Sequence, residues 1–437
     1  MSINSLTKLL GLLLLPLLFS AVSCNKPTEP NEQPINYPNE ITVADAYCAE
    51  LWINVNTNDN NLLNDTLILR TESKILLEFL TASSPKEIYI NNLSPSNTFT
   101  LYLTDKQGRK RSNTLKVSTL DTTSSIYTWE KFQFGNGQAS SLLYDVAIID
   151  ENNIWAVGEI HVNDSLGNYD PKIYNAVHWD GSKWEPKRIL SSICGSTGTA
   201  VICIYAIYAF DSTNIYFSDG GELIHFDGQT YKQDCTVNQL LTGRINKIWG
   251  KSSSDLYVAG INGALVHYNG SSWTKLESGT TLDINDIHGA NGEILCVAAN
   301  VLGSFDLDIL RIKNQNVDKL PKADMSSYMS GIWYDGHQKY YVAGGGIWKS
   351  YKDEIHWKTE PRTRTYYLIG IDGFGVNSIV GVGSFGEMLY YNGMNWRSLI
   401  NETYLVSGDF FSVDINENMI AAVGWSNHYA VIMLGRK

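Results

Sequence analysis

Residues 245–279 read INKIWGKSSSDLYVAGINGALVHYNGSSWTKLESG, and whole or partial copies of this stretch recur along most of the chain after about residue 127. Four short apolar runs, separated by Gly, Asn, Asp and Ser, predict four strands joined by tight turns. Asn269-Gly270 predicts a two-residue hairpin turn between the last two strands. The unit is therefore predicted to be a four-stranded antiparallel meander. Because one meander alone exposes apolar faces, several copies must pack face to face, most simply around a ring.

The chain carries about seven copies of this unit. The seventh, residues 409–435, ends after its third strand. Residues 127–135 resemble only a fourth strand, and we expect them to pair with the carboxy-terminal meander. This predicts an all-β fold in which residues 126–437 form a seven-bladed β-propeller of four-stranded antiparallel blades, closed by an N-terminal outer strand.

The repeat resembles one that is widespread in bacterial secreted and envelope β-propellers. The resemblance rests on Trp249-Gly250, residues 255–260, residues 266–270 and Trp273, and it extends over about 310 residues. It implies a fold and a compartment, but that group shares no single activity and so implies none here. The sequence lacks the sialidase box Ser-x-Asp-x-Gly-x-Thr-Trp and the double glycine of kelch repeats at repeat spacing. Both absences count against those enzyme classes.

Residues 1–23 are predicted to be an export signal. Lys8 is followed by an apolar stretch that is shorter than the roughly 20 residues needed to span a bilayer. The junction AVSC at residues 21–24 resembles a bacterial lipobox, which implies that Cys24 is lipidated after cleavage. Ala21 stands where leucine is commonest, and an ordinary cleavage site with an incidental cysteine is the alternative. Lipidation would place the chain in the cell envelope, at the outer membrane of a Gram-negative bacterium.

Two further segments precede the repeats. Residues 24–39 contain four prolines among polar residues and predict an extended tether. Residues 40–120 hold many short strands and predict a β-sandwich, and roughly their last 35 residues resemble a fibronectin type III domain. That sequence departs from the family at Phe99, where tyrosine is usual, so the corner hydrogen bond is missing. The resemblance implies a role in spacing or protein contact, and residues 121–125 are predicted to be a short polar linker.

Composition excludes some partners and cofactors. A net charge of −12 argues against nucleic acid or anionic lipid, since these need clustered Lys and Arg. Five cysteines besides Cys24, with no CxxC pair, argue against zinc, and we predict no metal and no cofactor. Cys194 and Cys203 flank a Gly/Ser/Thr loop in a chain predicted to be exported, so a disulfide between them is predicted. Cys296 lies in an apolar strand and is expected to be a buried thiol.

Candidate binding residues lie on loops, because the sheets of a propeller are committed to packing. In a ring of meanders, the turns between second and third strands share a face with the connections between blades. Residues 159–175 and 191–201 are predicted to lie side by side on that face, next to the matching turn of the seventh repeat. The candidate ligand-binding residues on this rim are His161, Asp164, Tyr169, Asp170, Lys172, Trp425, His428 and Tyr429.

Other polar residues have structural interpretations. His178, His225 and His267 recur in the third strands of consecutive repeats, but facing sheets lie roughly 10 Å apart, too far to share one zinc ion. We therefore expect these histidines to pack. A glycoside hydrolase would need two carboxylates roughly 5 to 10 Å apart. Asp164 and Asp170 share one loop and are the pair available, while Asp145 is expected to be a solvated residue of the central channel; no catalytic residue is predicted.

The sequence favours a lipid-anchored, non-enzymatic surface protein whose rim binds an envelope protein or a glycan. Such a chain is expected to be a monomer that contacts the membrane only through its anchor. One alternative is a glycan-active hydrolase or lyase that uses the rim carboxylates. Another is an assembly factor for a complex of the envelope.

Overall fold

The computed structural model describes residues 36–58, 64–81, 83–192, 194–195, 197–241, 243–300, 306–322, 325, 328–362 and 364–437. The predicted signal peptide, Cys24 and most of the predicted tether lie outside these residues. Across the described ranges, no helix is long and apolar enough to cross a bilayer. Strands dominate, with 3-10 turns at Asn238–Leu240 and Ile261–Gly263 and a helical turn at Ile400–Thr403.

A sandwich of two sheets forms the amino-terminal part. Its strands are β1 (Asn39–Ala46), β2 (Leu51–Thr57), β3 (Thr66–Arg70), β4 (Ile75–Leu80), β5 (Lys86–Ile90), β6 (Thr98–Thr104) and β7 (Leu115–Ser118). The sheets have the orders β1-β2-β5 and β4-β3-β6-β7. One apolar core, which includes the fully buried Ile41, Ile53 and Leu69, lies between them, and Phe99 packs against it half-buried. A sandwich therefore forms where it was expected, whereas its fibronectin type III family stays a prediction.

Seven four-stranded blades follow the sandwich. The strands are β8 (Thr128–Phe134); β9 (Leu142–Asp150), β10 (Asn153–Ile160), β11 (Tyr174–Trp179) and β12 (Trp184–Lys187) in blade 1; a connecting hairpin of β13 (Ser191–Ser192) and β14 (Thr199–Ala200); β15 (Ala206–Asp211), β16 (Asn214–Ser218), β17 (Leu223–Phe226) and β18 (Tyr231–Asp234) in blade 2; β19 (Ile245–Ser252), β20 (Asp255–Gly260), β21 (Leu265–Tyr268) and β22 (Trp273–Lys275) in blade 3; β23 (Ile284–Ala290), β24 (Glu293–Ala299), β25 (Leu307–Lys313) and β26 (Asn316–Leu320) in blade 4; β27 (Met329–Tyr334), β28 (Lys339–Gly344), β29 (Ile347–Tyr351) and β30 (Lys358–Thr359) in blade 5; β31 (Leu368–Gly375), β32 (Ser378–Gly383), β33 (Met388–Tyr391) and β34 (Trp396–Ser398) in blade 6; and β35 (Gly408–Ile415), β36 (Met419–Ser426) and β37 (Tyr429–Arg436) in blade 7. The predicted propeller is confirmed.

Apolar side chains between neighbouring blades hold the ring together. Alternate residues of a strand point to opposite faces of its sheet, and in a propeller both faces are covered by neighbours. Val146, Ile154 and Val177 of blade 1, for example, pack against Val423 and Ile432 of blade 7. The repeating apolar runs in the sequence are therefore the surfaces along which blades stack.

The turn at Asn269-Gly270 is longer than predicted. Tyr268 pairs directly with Trp273, so the loop spans residues 269–272. The side-chain oxygen of Asn269 accepts hydrogen bonds from two backbone N–H groups of the loop, at 3.0 and 2.9 Å. This side-chain capping stabilises a wider turn than the two-residue type, and Gly270 supplies the positive φ of 88° within it.

The closing strand is confirmed. β8 pairs antiparallel with β37, so that Trp129 lies opposite Gly435 and Gln133 lies opposite Val431. A Cβ atom at Gly435 would lie 2.7 Å from the Trp129 ring, so this close approach requires glycine. Phe132 of the same strand packs into the core between blades 7 and 1. The amino-terminal strand therefore completes blade 7 and joins it to blade 1.

The sandwich packs on one face of the ring. We define the upper face as the one with the connections between blades, and the lower face as the one with the turns between first and second strands. On the lower face of blade 5, the Tyr47 hydroxyl donates to the Asp335 carboxylate at 2.5 Å. Lys339, which is buried, pairs with Glu50 and lies 4.0 Å from the centre of the Tyr47 ring. The sandwich thus covers part of the lower face and leaves the upper face open.

Residues 121–125, predicted to be a simple polar linker, are fixed against blade 6. The side-chain amide of Asn377 donates to the backbone oxygen of Asp121 at 2.8 Å. The Tyr390 hydroxyl donates to the Thr123 hydroxyl at 2.9 Å. Since both contacts join the segment to the propeller, it forms part of the interface between the two units.

Candidate functional site

The inner strands carry β-bulges where they reach the upper face. In six blades the register shifts by one residue at this point, and bulges of this kind redirect a side chain. Tyr205 directly precedes the inner strand of blade 2 and lies at the corresponding position. These residues surround the upper end of the central channel. The bulged residues are Tyr144, Asn246, Asn285, Ser330, Ile369 and Phe411.

Three aromatic rings at these positions form a continuous row, which we call the aromatic crescent: Phe411, Tyr144 and Tyr205. The rings of Tyr144 and Phe411 are 5.9 Å apart and nearly parallel, at 18°. Those of Tyr144 and Tyr205 are 4.9 Å apart. The guanidinium of Arg244 lies 4.7 Å from the centre of the Tyr205 ring, at the end of the row. The crescent therefore spans blades 7, 1 and 2 and ends in a cation.

The crescent offers hydrogen-bond donors as well as aromatic faces. Burial, with smaller effects from Cys203 and Tyr205, raises the pKa of Tyr144 to about 12. Burial likewise raises the pKa of the Cys203 thiol to about 12. Both groups are therefore protonated at neutral pH. The carboxylate of Glu159 contributes to both pKa values and so lies beside the crescent.

Two predicted rim residues on blade 1 form a small network with Glu159. The His161 ring is held between the Glu159 carboxylate, 2.9 Å from Nε2, and the Tyr169 hydroxyl, 2.9 Å from Nδ1. Tyr169 is 49 % exposed and its ring is nearly parallel to that of His161. The network therefore places an exposed aromatic ring and a carboxylate next to the crescent.

Blade 7 meets this network through the segment that follows β8. The backbone N–H of Ser141 donates to the backbone oxygen of His428, and the Ser141 hydroxyl accepts from the His161 backbone N–H, both at 2.9 Å. His428 belongs to a two-residue turn with positive φ at both positions. Tyr429 approaches Gly137 in the same segment, whereas Trp425 is half-buried in β36. The structure thus brings His161, His428 and Tyr429 to one part of the rim.

The three charged candidates in the 159–175 loop serve the loop itself. The Asp164 carboxylate accepts backbone N–H groups of its own turn, at 2.9 and 2.8 Å. Asp170 pairs with Arg188 at 2.9 Å and accepts the Lys172 backbone N–H at 2.8 Å. The Lys172 N–H and Arg188 together hold the pKa of Asp170 below its usual value. A general acid needs a raised pKa, so Asp170 is unsuited to that role in a hydrolase.

Sequence reasoning missed the crescent. Tyr144, Tyr205, Phe411 and Arg244 are single residues in different repeats, and none belongs to a motif. One signal was present: these aromatics follow or precede the first apolar residue of the inner strand, where blade 3 has Asn246 and other repeats have Asn or Ser. Aromatic residues confined to adjacent repeats at one register position indicate a local surface rather than the common core.

An ion pair crosses the central channel beneath the crescent. The Lys247 ammonium of blade 3 lies 2.6 Å from the Asp145 carboxylate of blade 1 and 3.5 Å from the Ser412 hydroxyl of blade 7. Asp145 is 2 % exposed and also accepts the Ile207 backbone N–H at 3.1 Å. It is therefore buried and paired, not solvated as predicted. Burial lowers the pKa of Lys247, but Asp145 and Asp286 outweigh it and the pKa lies above its usual value.

Three more carboxyl groups line the channel cavity, whose volume is about 350 Å³: Asp286, Asp372 and Asp414. The backbone N–H of Ile332 donates to Asp286 at 2.9 Å, and that of Ile148 donates to Asp414 at 2.6 Å. Burial raises the pKa of Asp286 to about 6. Burial and the charge of Asp414 raise the pKa of Asp372 well above its usual value. Asp372 and Asp414 are hydrogen-bonded, so one proton is held between them.

These raised pKa values predict that stability falls as pH rises. A carboxyl with a raised folded-state pKa stabilises the fold fully below its unfolded pKa of about 4, and this contribution is lost as pH passes the folded pKa. Asp372→Asn keeps a donor toward Asp414 but has no proton to lose. We expect the variant to melt a few degrees above wild type at pH 8 and to differ little at pH 4.5, by thermal unfolding in both buffers.

Asp318→Asn, which changes an exposed carboxylate on the outer strand of blade 4, provides the control for net charge. It is expected to leave the pH dependence unchanged. A melting temperature of Asp372→Asn that runs parallel to wild type between pH 4.5 and pH 8 would contradict the shared proton.

The recurring histidines pack as predicted. Each ring stacks on an aromatic ring from the second strand of its own blade. The pairs and the distances between ring centres are His178 on Trp155 at 4.3 Å, His225 on Tyr216 at 4.5 Å and His267 on Tyr257 at 4.3 Å. This repeated stacking explains why histidine occurs at one register position in three consecutive blades.

The predicted disulfide between Cys194 and Cys203 is wrong, because Cys194 is bonded to Cys235. The β13–β14 hairpin turns the connection back toward the outer strand of blade 2, which ends next to Cys235. The Ser192 backbone N–H donates to the side chain of Gln233 at 2.8 Å and fixes this approach. Cys203 stays a half-buried thiol, and Cys296 is a fully buried thiol as predicted.

Comparison with known proteins finds similarity in fold only. No protein-family model matches the chain. No curated protein matches it either. Among solved structures, YCF48 bound to D1 peptide is 15 % identical with a TM-score of 0.52, over 72 % of this chain and 97 % of that one. The WD40 β-propeller domain of Doa1 is 11 % identical with a TM-score of 0.51, over 71 % and 98 %. At these identities the likeness shows a β-propeller and nothing about activity.

Proposed function

We propose that the upper face binds an extended segment of a partner protein without catalysing a reaction. The observation that carries this proposal is the aromatic crescent with Arg244 at its end. Tyrosine and arginine are enriched at protein interfaces, where a few such residues supply most of the binding energy. A row of three rings across adjacent blades suits a ligand that is long and narrow.

The surroundings of the crescent favour a polypeptide. Arg244, Glu159 and the Tyr144 hydroxyl provide a cation, an anion and a donor within one surface, which matches the mixed polarity of a peptide backbone and its side chains. The solved YCF48 structure contains a bound D1 peptide, so a propeller of similar fold can hold one. Because the sandwich occupies the lower face, an incoming chain meets no obstacle from it.

We further propose that the chain is anchored in the cell envelope through lipid on Cys24, with residues 24–39 as a tether. The lipobox-like junction and the proline-rich composition support this assignment. The tether leads into the sandwich, and the sandwich packs on the lower face. The crescent would therefore face away from the attachment point, as a protein-binding surface requires, whether the chain acts as a receptor or as an assembly factor.

Removing single rings of the crescent should weaken peptide binding. Linear peptides are first selected on the wild-type chain from a phage-displayed library and then measured as synthetic peptides by fluorescence anisotropy. We expect Tyr144→Ala and Phe411→Ala each to raise the Kd about 10- to 30-fold, since a central aromatic contact contributes about 1.4–2 kcal/mol. Phe374→Ala removes a ring that is 56 % exposed on the lower face and should leave the Kd unchanged.

The same proteins are applied to an array of oligosaccharides, because stacked aromatic rings also suit sugars. Selection of no peptide, or peptides whose Kd is equal in all three variants, would contradict the proposal. Saccharide binding that Tyr144→Ala abolishes, in the absence of peptide binding, would replace a protein partner with a glycan.

A further inference from the structure

Three metal-ligating side chains converge where the connection between blades 1 and 2 meets blade 2. The sulfur atoms of Cys194 and Cys235 and a carboxylate oxygen of Glu222 all lie within 4.8 Å of one another. Oε2 of Glu222 is 3.1 Å from Sγ of Cys194. Glu222 is only 6 % exposed, so its carboxylate is held close to the sulfur pair rather than in solvent.

This arrangement is unfavourable for a disulfide alone. A disulfide sulfur has no hydrogen to donate, so the contact with Glu222 brings lone pairs together. A buried carboxylate needs a donor or a cation near each oxygen. Asn238 supplies a donor to Oε1 at 2.8 Å, but Oε2 faces the sulfur atoms. The geometry thus leaves one carboxylate oxygen aimed at a position where a cation would satisfy it.

We propose that the reduced chain binds one Zn²⁺ ion through the thiolates of Cys194 and Cys235 and the carboxylate of Glu222, with water as the fourth ligand. Two thiolates, one carboxylate and a water form a tetrahedral donor set that zinc accepts. A dithiol reductant opens the disulfide by exchange, which yields two thiols and the oxidised reductant. Zinc binding then releases both thiol protons to solvent.

Neighbouring side chains orient the ligands. Asn238 fixes the carboxylate of Glu222 through Oε1 and leaves Oε2 for the metal. The side-chain amide of Gln233 lies 3.6 Å from Sγ of Cys194 and can donate to a thiolate there. Hydrogen bonds of this kind hold metal ligands in place and stabilise their charge. Disulfide and zinc would therefore connect the same two segments in two redox states.

Cobalt titration tests the proposal. The full-length chain, with Cys24→Ser in every sample, is reduced with a phosphine in metal-free buffer and titrated with Co²⁺. We expect thiolate-to-cobalt charge-transfer absorption that saturates at one Co²⁺ per chain and is displaced by one equivalent of Zn²⁺. The oxidised chain should show none. Cys235→Ser should abolish the absorption, and Asn238→Ala should weaken affinity about 10- to 100-fold.

Cys203→Ser is the matched control, since this thiol lies in the same connection but outside the site; it should titrate like wild type. Near-ultraviolet circular dichroism checks that each reduced protein stays folded. The proposal is overturned if the folded, reduced chain gives no charge-transfer band, or if Cys235→Ser gives the wild-type titration. Unfolding on reduction that Co²⁺ does not reverse would overturn it as well.

Discussion

Replacing Lys247 with methionine is expected to lower the free energy of unfolding by about 3–5 kcal/mol, as removal of one partner from a buried ion pair does. The variant leaves Asp145 in the channel without its cation, while Asp286 also loses the nearest positive charge. The loss should increase with pH, because more of the channel carboxyls are then ionised. Unfolding in guanidinium chloride at pH 5 and pH 8 measures both effects.

The control for Lys247→Met is Lys251→Met, which changes an exposed lysine four positions further along the same strand region. It should change stability by less than about 0.5 kcal/mol. The double variant Asp145→Asn with Lys247→Met removes both charges and should recover much of the loss. Equal stability of Lys247→Met and wild type would show that the cross-channel pair does not hold blades 1, 3 and 7 together.

A chain that begins at residue 137, and so lacks β8, is expected not to fold cooperatively. Residues 430–436 of β37 would lose all their partners on one side, and the core between blades 7 and 1 would lose Phe132 and Phe134. An unpaired strand edge of this length next to exposed apolar surface promotes aggregation. Soluble yield, near-ultraviolet circular dichroism and thermal unfolding provide the measurement.

A chain that begins at residue 126 is the matched control. It also lacks the sandwich but keeps β8, so it should fold and melt cooperatively. A synthetic peptide of residues 126–136, added to the shorter chain during refolding, should restore part of the folded yield. Cooperative melting of the shorter chain at the temperature of the longer one would show that closure by β8 is not needed.

The fold could be predicted because its information is local and repeated. Each blade contains the same order of short apolar runs and polar turns, so weak signals add up over the repeats. The closing strand was recognisable because residues 127–135 carry a fourth-strand pattern, with Trp129, and no other strands of their own. Its pairing with β37 followed from the missing strand at the other end of the chain.

The site was only partly predictable because it depends on register and on distant contacts. His161 and His428 were placed on one rim by counting strands, and they do meet through Ser141. The crescent depends instead on bulges, which arise from the pairing of two strands and leave no composition signal. The joint between sandwich and propeller relies on pairs such as Tyr47 with Asp335, 288 residues apart. No local pattern identifies such a pair.

The disulfide shows the same limit on a smaller scale. Proximity in sequence favoured Cys203 as the partner of Cys194. The β13–β14 hairpin reverses the chain between them and brings Cys194 to Cys235 instead. A two-stranded turn of this size is decided by contacts with blade 2, including that of Gln233 with Ser192, and these are absent from the segment itself.

Hydrogen–deuterium exchange with and without the tightest selected peptide tests the central claim, that the crescent on the upper face is the binding surface. The account predicts that the peptide slows exchange at the upper ends of the inner strands of blades 7, 1 and 2, around Phe411, Tyr144 and Tyr205. Protection confined to the lower face or to the sandwich, with no change at these three positions, would contradict it.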